Sequence, residues 1–205
     1  MHFSNAPIHS KVSIFASGDS INEIPPEDLQ TIKNKTFVIA LNLVDVMVPH
    51  MRFWSDPKLT DNWFESANKD CLWCARTLAY NDESKEYRTK DMVDFWFDNR
   101  SEGLGGDRGR KDSLFWLMEL LYRNFKDKDV FIFGMDCKKG DNRSKIAING
   151  KQFVKENEGQ RKNIEFMESD LRRYHNTHKG FLDRFFNCSP ESSIQCIEKI
   201  HYAKI

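Results

Sequence analysis

Small or polar residues end or directly follow several of the strands that the sequence predicts. They are Gly18, Asp19 and Ser20 just after the first strand, Asn42 at the end of the second, and Gly134 and Asp136 at the end of a later one. Glycine lets a backbone approach a ligand closely because it has no Cβ. Asn42 offers both a donor and an acceptor for a base edge or a ribose. Ligands of open parallel sheets bind beyond the carboxyl ends of the strands, so these residues are candidates for one cleft.

Each of these residues also has a purely structural interpretation. A strand that ends in Gly-Asp-Ser forms an ordinary turn or helix cap, and Asn42 is also typical of a turn. Asp56, in "FWSDPKL", either starts an Asp-Pro turn or presents a carboxylate to a ribose, a sugar hydroxyl or a metal. His175 and His178 lie three residues apart, which suits either a metal pair on one helical face or the end of a helix beside Gly180.

Two polar, basic stretches, residues 98–112 and 138–162, are predicted to be mobile loops. Their cations include Arg108, Arg110, Lys138 and Arg143. Arginine presents a planar fork to phosphate oxygens, so these loops suit a diphosphate or a nucleic-acid backbone. A solvated loop with no ligand is the alternative.

The elements that position these residues predict a single α/β domain over residues 1–205. Apolar runs of strand length alternate with helical patterns, which favours a largely parallel, twisted sheet flanked by helices, a Rossmann-like architecture. Strands are predicted at 12–16, 36–42 and 129–136, a buried helix at 113–125, and an amphipathic helix from about residue 161. Two more strands are predicted in "MRFWSDP" and "CLWCARTL".

The charge balance and the absence of several motifs argue against a nonspecific nucleic-acid binder, several common enzyme classes and a membrane span. The 31 basic and 31 acidic residues balance, so no global field attracts nucleic acid or a membrane surface. The GxGxxG, GxxxxGK[ST], GxSxG and HExxH motifs are absent from the sequence. An apolar run of about 18 residues, which a membrane span requires, is also absent. The N-terminus does not resemble a signal peptide, and five scattered cysteines suit a reducing compartment, so a cytoplasmic location is predicted.

The five cysteines follow no disulfide or zinc spacing. Cys71-Leu-Trp-Cys74 is an isolated CxxC within an apolar run, and we interpret it as two packed thiols rather than as a metal or redox motif.

The order of these motifs resembles the bacterial sialyltransferase-like glycosyltransferases and their uncharacterised relatives. That family begins with a strand ending in a Gly-x-x-Ser or Gly-Pro-Ser turn and a short "LxxI" segment. It continues with a strand ending in Asn, an aromatic strand ending in Asn-Pro or Asp-Pro, a "G[IM]D" strand and a "[CS]PxS" turn. The matching segments here are Gly18-Asp19-Ser20 with "INEI", Asn42, Asp56-Pro57, Gly134-Met135-Asp136 and Ser189-Pro190-Glu191-Ser192.

The resemblance implies a sialyltransferase-like variant of the fold and a nucleotide-activated sugar donor. It implies donor-binding roles for Gly18, Asp19, Ser20, Asn42, Asp56, Gly134 and Ser192. It places Asp136 near the reacting centre. In that family a base deprotonates the acceptor hydroxyl while other groups steady the leaving phosphate.

Two departures from the family pattern change the expected donor. The family's histidine before the last long helix is missing from "NEGQRKN", and its tyrosines are missing from the loop after the "GMD" strand. A UDP-type donor is therefore favoured over CMP-sialic acid. The candidate bases are Asp136, Asp56 and His175, in that order. The basic loops, including Lys139, would compensate the charge of a diphosphate leaving group.

The function predicted from the sequence is glycosyl transfer to a glycan or to a hydroxylated base in DNA, with Mn²⁺ or Mg²⁺ as a candidate cofactor. Binding to DNA through the basic loops would weaken steeply as salt rises. The alternatives are a nucleotide-handling, pyrophosphokinase-like enzyme and a noncatalytic nucleotide or nucleic-acid binding protein.

Overall fold

A computed structural model gives the architecture of the chain. It describes residues 9–42, 44, 46–54, 70–76, 93–97, 113–137, 146–148, 151–153 and 160–205.

The described strands form an eight-stranded sheet with the order β10-β9-β6-β1-β2-β3-β4-β5. Its members are β1 (Lys11–Phe15), β2 (Phe37–Leu41), β3 (Met51–Trp54), β4 (Leu72–Arg76), β5 (Phe95–Phe97), β6 (Asp129–Phe133), β9 (Phe185–Asn187) and β10 (Glu198–Lys199). Neighbouring strands of this sheet pair in parallel throughout. The carboxyl ends of the strands therefore share one edge of the sheet.

Helices cover both faces of the sheet. They are α1 (Pro26–Lys35), α2 (Ser113–Asn124) and α3 (Gln160–Thr177). Ile32 of α1 packs with Phe15 and Val38 on one face. The apolar helix α2 packs on the other face, in a core that also includes Leu171 and Tyr174 of α3.

Residues in the central strands are buried against both helical layers, which explains the near-continuous apolar runs "FVIAL" and "VFIF". The five residues of β2 are all buried. The prediction of an α/β fold with a largely parallel sheet flanked by helices is confirmed. Among the described helices, none combines the length and the apolar character that crossing a membrane requires.

Three predicted strands end earlier in the structure than the sequence predicts, and the first of them, β1, ends at Phe15 rather than at Ala16. Strand β6 ends at Phe133 rather than at Asp136, and Gly134 follows it with φ +69°. Strand β2 ends at Leu41, and Asn42 has φ +49°. A left-handed residue cannot continue an extended strand, so both turns begin where the polar residues begin.

The loop predicted over residues 138–162 contains regular structure. Strands β7 (Ile146–Ile148) and β8 (Lys151–Phe153) form an antiparallel hairpin there, and α3 begins at Gln160. The other predicted loop, residues 98–112, lies outside the described residues.

Candidate functional site

The order in which successive strands are added to the sheet reverses at β1. The chain proceeds from β1 to β2 and β3 on one side, whereas β6 and β9 lie on the other side. In an open α/β sheet, the loops that diverge at such a switch point form the usual ligand crevice beyond the carboxyl ends. Residues that follow β1, β2, β6 and β9 therefore define the candidate site.

Gly18 and Gly134 bring the ends of β1 and β6 together. The Gly18 amide donates to the Gly134 carbonyl at 2.7 Å, which continues the pairing of the two strands beyond their last residues. A Cβ on Gly18 would lie 2.3 Å from that carbonyl oxygen and 2.6 Å from the Asp136 carboxylate. Glycine at position 18 thus permits a close approach between two protein segments. The donor-binding roles predicted for both glycines stay predictions, and Gly134 is buried.

Asp136 is buried and its carboxylate binds Ser20. The side chain of Ser20 donates to Oδ1 of Asp136, and the Ser20 backbone amide donates to Oδ2 at 2.9 Å. Asp136 is 3% exposed, while Ser20 is half-buried. Hydrogen bonds to an ionised acceptor are stronger than neutral ones, so this pair fixes the turn after β1 against the turn after β6.

The turn after β9 completes this group. The Ser189 hydroxyl lies 3.1 Å from the Ser20 hydroxyl, and the Ser193 amide donates to the Asp136 backbone carbonyl at 3.2 Å. The side chain of Asn187 accepts from the Ser189 amide at 2.9 Å. Ser20, Asp136 and Ser189 thus form one hydrogen-bonded cluster, which we call the serine–aspartate cluster.

Ser192 is part of the same turn and is 3% exposed. Its hydroxyl accepts from the Ile194 amide at 3.2 Å, and its carbonyl accepts from the Lys199 ammonium at 2.6 Å. These contacts shape the turn; the donor-binding role predicted for Ser192 stays a prediction. Asp19 is half-buried and begins a short 3₁₀ turn, residues Asp19–Glu23.

Asn42 follows β2 at the same edge of the sheet. Its side-chain amide donates to the hydroxyl of Ser113, the first residue of α2, at 3.0 Å. The guanidinium of Arg52 donates to the carbonyls of Val44 at 2.8 Å and of Asn42 at 3.5 Å. Arg52 is 5% exposed, so a buried cation holds the turn that gives Asn42 its left-handed backbone.

His175 lies away from the serine–aspartate cluster. Cys137 follows Asp136 and contacts Met167 of α3, with the two sulfur atoms 3.8 Å apart. His175 is eight residues further along α3, a rise of about 12 Å. Its Nδ1 accepts from the Leu182 amide at 3.3 Å.

A cavity of about 470 Å³ surrounds His175 and includes Phe185 and Glu198, the first residues of β9 and β10. The structure therefore places His175 at the amino edge of the sheet and does not bring it together with Asp136.

The remaining predicted site residues lie outside the described part of the chain. They are Asp56, Arg108, Arg110, Lys138, Lys139 and Arg143. Within the described ranges, no group of three or more His, Cys, Asp or Glu side chains is arranged to hold a metal ion.

The cysteines of the described structure are free thiols. Burial raises the pKa of Cys74 and of Cys188 to about 12. Cys188 precedes Ser189, and a thiol with that pKa stays protonated near neutral pH. It therefore does not supply the thiolate that nucleophilic catalysis needs.

The sequence patterns indicate no separate role for Ser189 or Arg52. Ser189 was visible as part of the "[CS]PxS" turn, but the motif does not indicate that its hydroxyl meets that of Ser20. The role of Arg52 could not be predicted, because one arginine in "MRFW" does not indicate which carbonyls its guanidinium contacts.

The fold is similar to that of a known enzyme. The solved structure of the MAf glycosyltransferase from Magnetospirillum magneticum AMB-1 matches with a TM-score of 0.61 at 12% sequence identity. The match covers 98% of this chain and 35% of that chain, so this chain spans about a third of that protein's length. At this identity the match establishes the fold. No protein-family model and no curated protein matches the sequence.

Proposed function

We propose that this protein is a glycosyltransferase that moves a sugar from a nucleotide-activated donor to an acceptor hydroxyl. The observation that carries the proposal is that the bonded pair Ser20 and Asp136 and the side chain of Asn42 lie at the same carboxyl edge of a sheet whose fold is similar to that of a glycosyltransferase. This edge is where open α/β sheets bind their ligands.

The donor we propose is of the UDP type rather than CMP-sialic acid. The proposal rests on the family histidine and tyrosines that the sequence lacks and on its two basic stretches. Gly18, Asp19, Ser20, Asn42 and Asp56 would bind the donor, together with Gly134 and Ser192. The cations Arg108, Arg110, Lys138 and Arg143 would neutralise the diphosphate.

The acceptor we propose is a glycan hydroxyl or a hydroxylated base in DNA. A DNA acceptor would contact the basic loops. The two acceptors differ in their salt dependence, because phosphate contacts release counterions and lose affinity as salt rises.

A panel of nucleotide-sugars tests the proposal. UDP-, CMP-, GDP- and ADP-sugars are added to the protein with and without Mn²⁺, and the melting temperature is recorded. A ligand at 100 times its Kd adds roughly 2.7 kcal/mol of stability. We expect a UDP-sugar to give the largest shift. If no nucleotide-sugar raises the melting temperature, the proposal is wrong.

ATP belongs in the same panel because it distinguishes the pyrophosphokinase-like alternative. Such an enzyme needs carboxylates that are available to a metal ion, and both carboxylate oxygens of Asp136 already accept hydrogen bonds from Ser20. A shift with ATP and none with any nucleotide-sugar would favour that alternative.

A further inference from the structure

The burial of Asp136 separates its carboxylate from the surface of the site. Asp136 is 3% exposed, whereas Ser20, which binds both of its carboxylate oxygens, is half-buried. A carboxylate in this position exchanges protons with a bound molecule most directly through the Ser20 hydroxyl.

The hydrogen bonds of the serine–aspartate cluster have a fixed direction. An ionised carboxylate only accepts, so Ser20 donates its hydroxyl proton to Oδ1 of Asp136. The Ser189 hydroxyl, 3.1 Å from that of Ser20, must then be the donor of their shared bond. A serine oxygen has two lone pairs, so one of them stays available to accept a proton from a further hydroxyl.

We propose that Ser20 is a catalytic residue that relays the acceptor proton to Asp136. This inference rests on the proposed glycosyl transfer. The acceptor oxygen forms a bond to the anomeric carbon while its O–H bond breaks and the proton passes to Oγ of Ser20. The original proton of Ser20 passes at the same time to Oδ1 of Asp136. The bond between the anomeric carbon and the phosphate oxygen breaks, and the departing phosphate keeps the electron pair.

The relay gives Ser20, Asp136 and Ser189 separate tasks. Ser20 contacts the substrate. Asp136 is the final proton acceptor and does not contact the substrate. Ser189 positions Ser20, since its hydroxyl occupies the other lone pair.

Hydrolysis of the donor tests the relay, because water then replaces the acceptor hydroxyl. The variants are Ser20→Ala, Ser20→Thr and Asp136→Asn. Ser193→Ala is the matched control, because Ser193 contacts Asp136 through its backbone amide, which alanine keeps. The probe is the nucleotide-sugar that gives the largest thermal shift with the wild-type protein, and kcat, KM and the donor Kd are measured for each variant.

We expect Ser20→Ala to lower kcat by about 10²-fold or more, the range that general base catalysis supplies, in addition to any loss of donor affinity from the proposed contact of Ser20 with the donor. Ser20→Thr keeps a hydroxyl and should recover most of that loss. Asp136→Asn keeps an acceptor for the Ser20 amide but cannot take up a proton at neutral pH, so its kcat should fall as in Ser20→Ala. Ser193→Ala should behave as wild type.

The relay is wrong if Ser20→Ala hydrolyses the donor with the wild-type kcat. It is also wrong if the variant loses melting temperature together with kcat and Ser20→Thr recovers neither. Either result leaves the proposed glycosyl transfer standing, because the wild-type protein still binds and hydrolyses the donor. A wild-type protein that binds no nucleotide-sugar overturns both proposals. If Asp136→Asn does not fold, the Ser20 pair decides the question alone.

Discussion

The amide of Gly18 and the carbonyl of Gly134 lie 2.7 Å apart and join two turns that are 116 residues apart in the sequence. This bond places Ser20 on the carboxylate of Asp136. The junction is possible because neither turn residue has a Cβ at the point of contact.

Substitution of Gly18 by alanine should destabilise the protein. The new Cβ would lie 2.3 Å from a backbone oxygen and 2.6 Å from the carboxylate of Asp136, a buried side chain whose two oxygens accept hydrogen bonds from Ser20. We expect a loss of roughly 1–3 kcal/mol in the free energy of unfolding, measured by urea denaturation. The control is Ser17→Ala in the same turn, where the side chain is exposed. Equal stability of the two variants would contradict the role given to Gly18.

Loss of the Arg52 guanidinium should release the turn that contains Asn42. Arg52→Met leaves the carbonyl of the buried Val44 without this donor, and we expect a loss of about 1–3 kcal/mol. Arg172→Met is the control, since that arginine is largely exposed and its ion pair with Glu168 should contribute about 1 kcal/mol or less.

A double-mutant cycle with Asn42→Gly tests whether Arg52 acts on the backbone of Asn42. Glycine adopts the left-handed conformation without strain, so Arg52→Met should cost less in the Asn42→Gly background. If the losses of the two single variants add up to the loss of the double variant within about 0.5 kcal/mol, the two residues are independent.

His50 should make the stability depend on pH. Its Nδ1 accepts from the Val38 amide at 2.9 Å. Burial lowers the pKa of His50 below the usual 6.5, and the neighbouring His9 and Lys33 add to the effect. Because the unfolded chain then takes up this proton more readily than the folded one, the free energy of unfolding should fall as pH drops below about 6.5. The fall should stop once the pH is below the pKa of His50 in the folded state.

The variant His50→Asn keeps an acceptor for the Val38 amide but does not titrate. Its stability should depend less on pH between 7 and 5 than that of the wild-type protein, as urea denaturation at several pH values would show. Curves of the same shape for both proteins would mean that other groups cause the dependence.

The sequence was sufficient for the central part of the fold because buried parallel strands leave long apolar runs. Strands β2 and β6 lie within the predicted ranges 36–42 and 129–136, although both end earlier. The edge strand β10 has two residues and the hairpin strands β7 and β8 have three each. Runs this short carry no periodicity that distinguishes them from loops.

The candidate site was predictable to the extent that it follows from strand ends. Ser20 and Asp136 were both singled out, but their mutual hydrogen bonds depend on β1 and β6 being neighbours, which no local pattern encodes. The position of His175 follows from topology. A crossover from β6 through α3 to the parallel strand β9 returns the chain to the amino edge of the sheet, so the end of α3 lies far from the carboxyl edge.

The most direct test of the account is a calorimetric titration with the nucleotide-sugar selected by thermal shift, which measures where the donor binds. The proteins are the wild type, Asn42→Gly, which removes the side chain at the carboxyl edge, and His175→Ala, which alters the cavity at the amino edge. We predict that Asn42→Gly binds about tenfold more weakly, the effect of losing one good hydrogen bond to a ligand, and that His175→Ala binds as the wild type does. Weaker binding by His175→Ala with unchanged binding by Asn42→Gly would contradict the account.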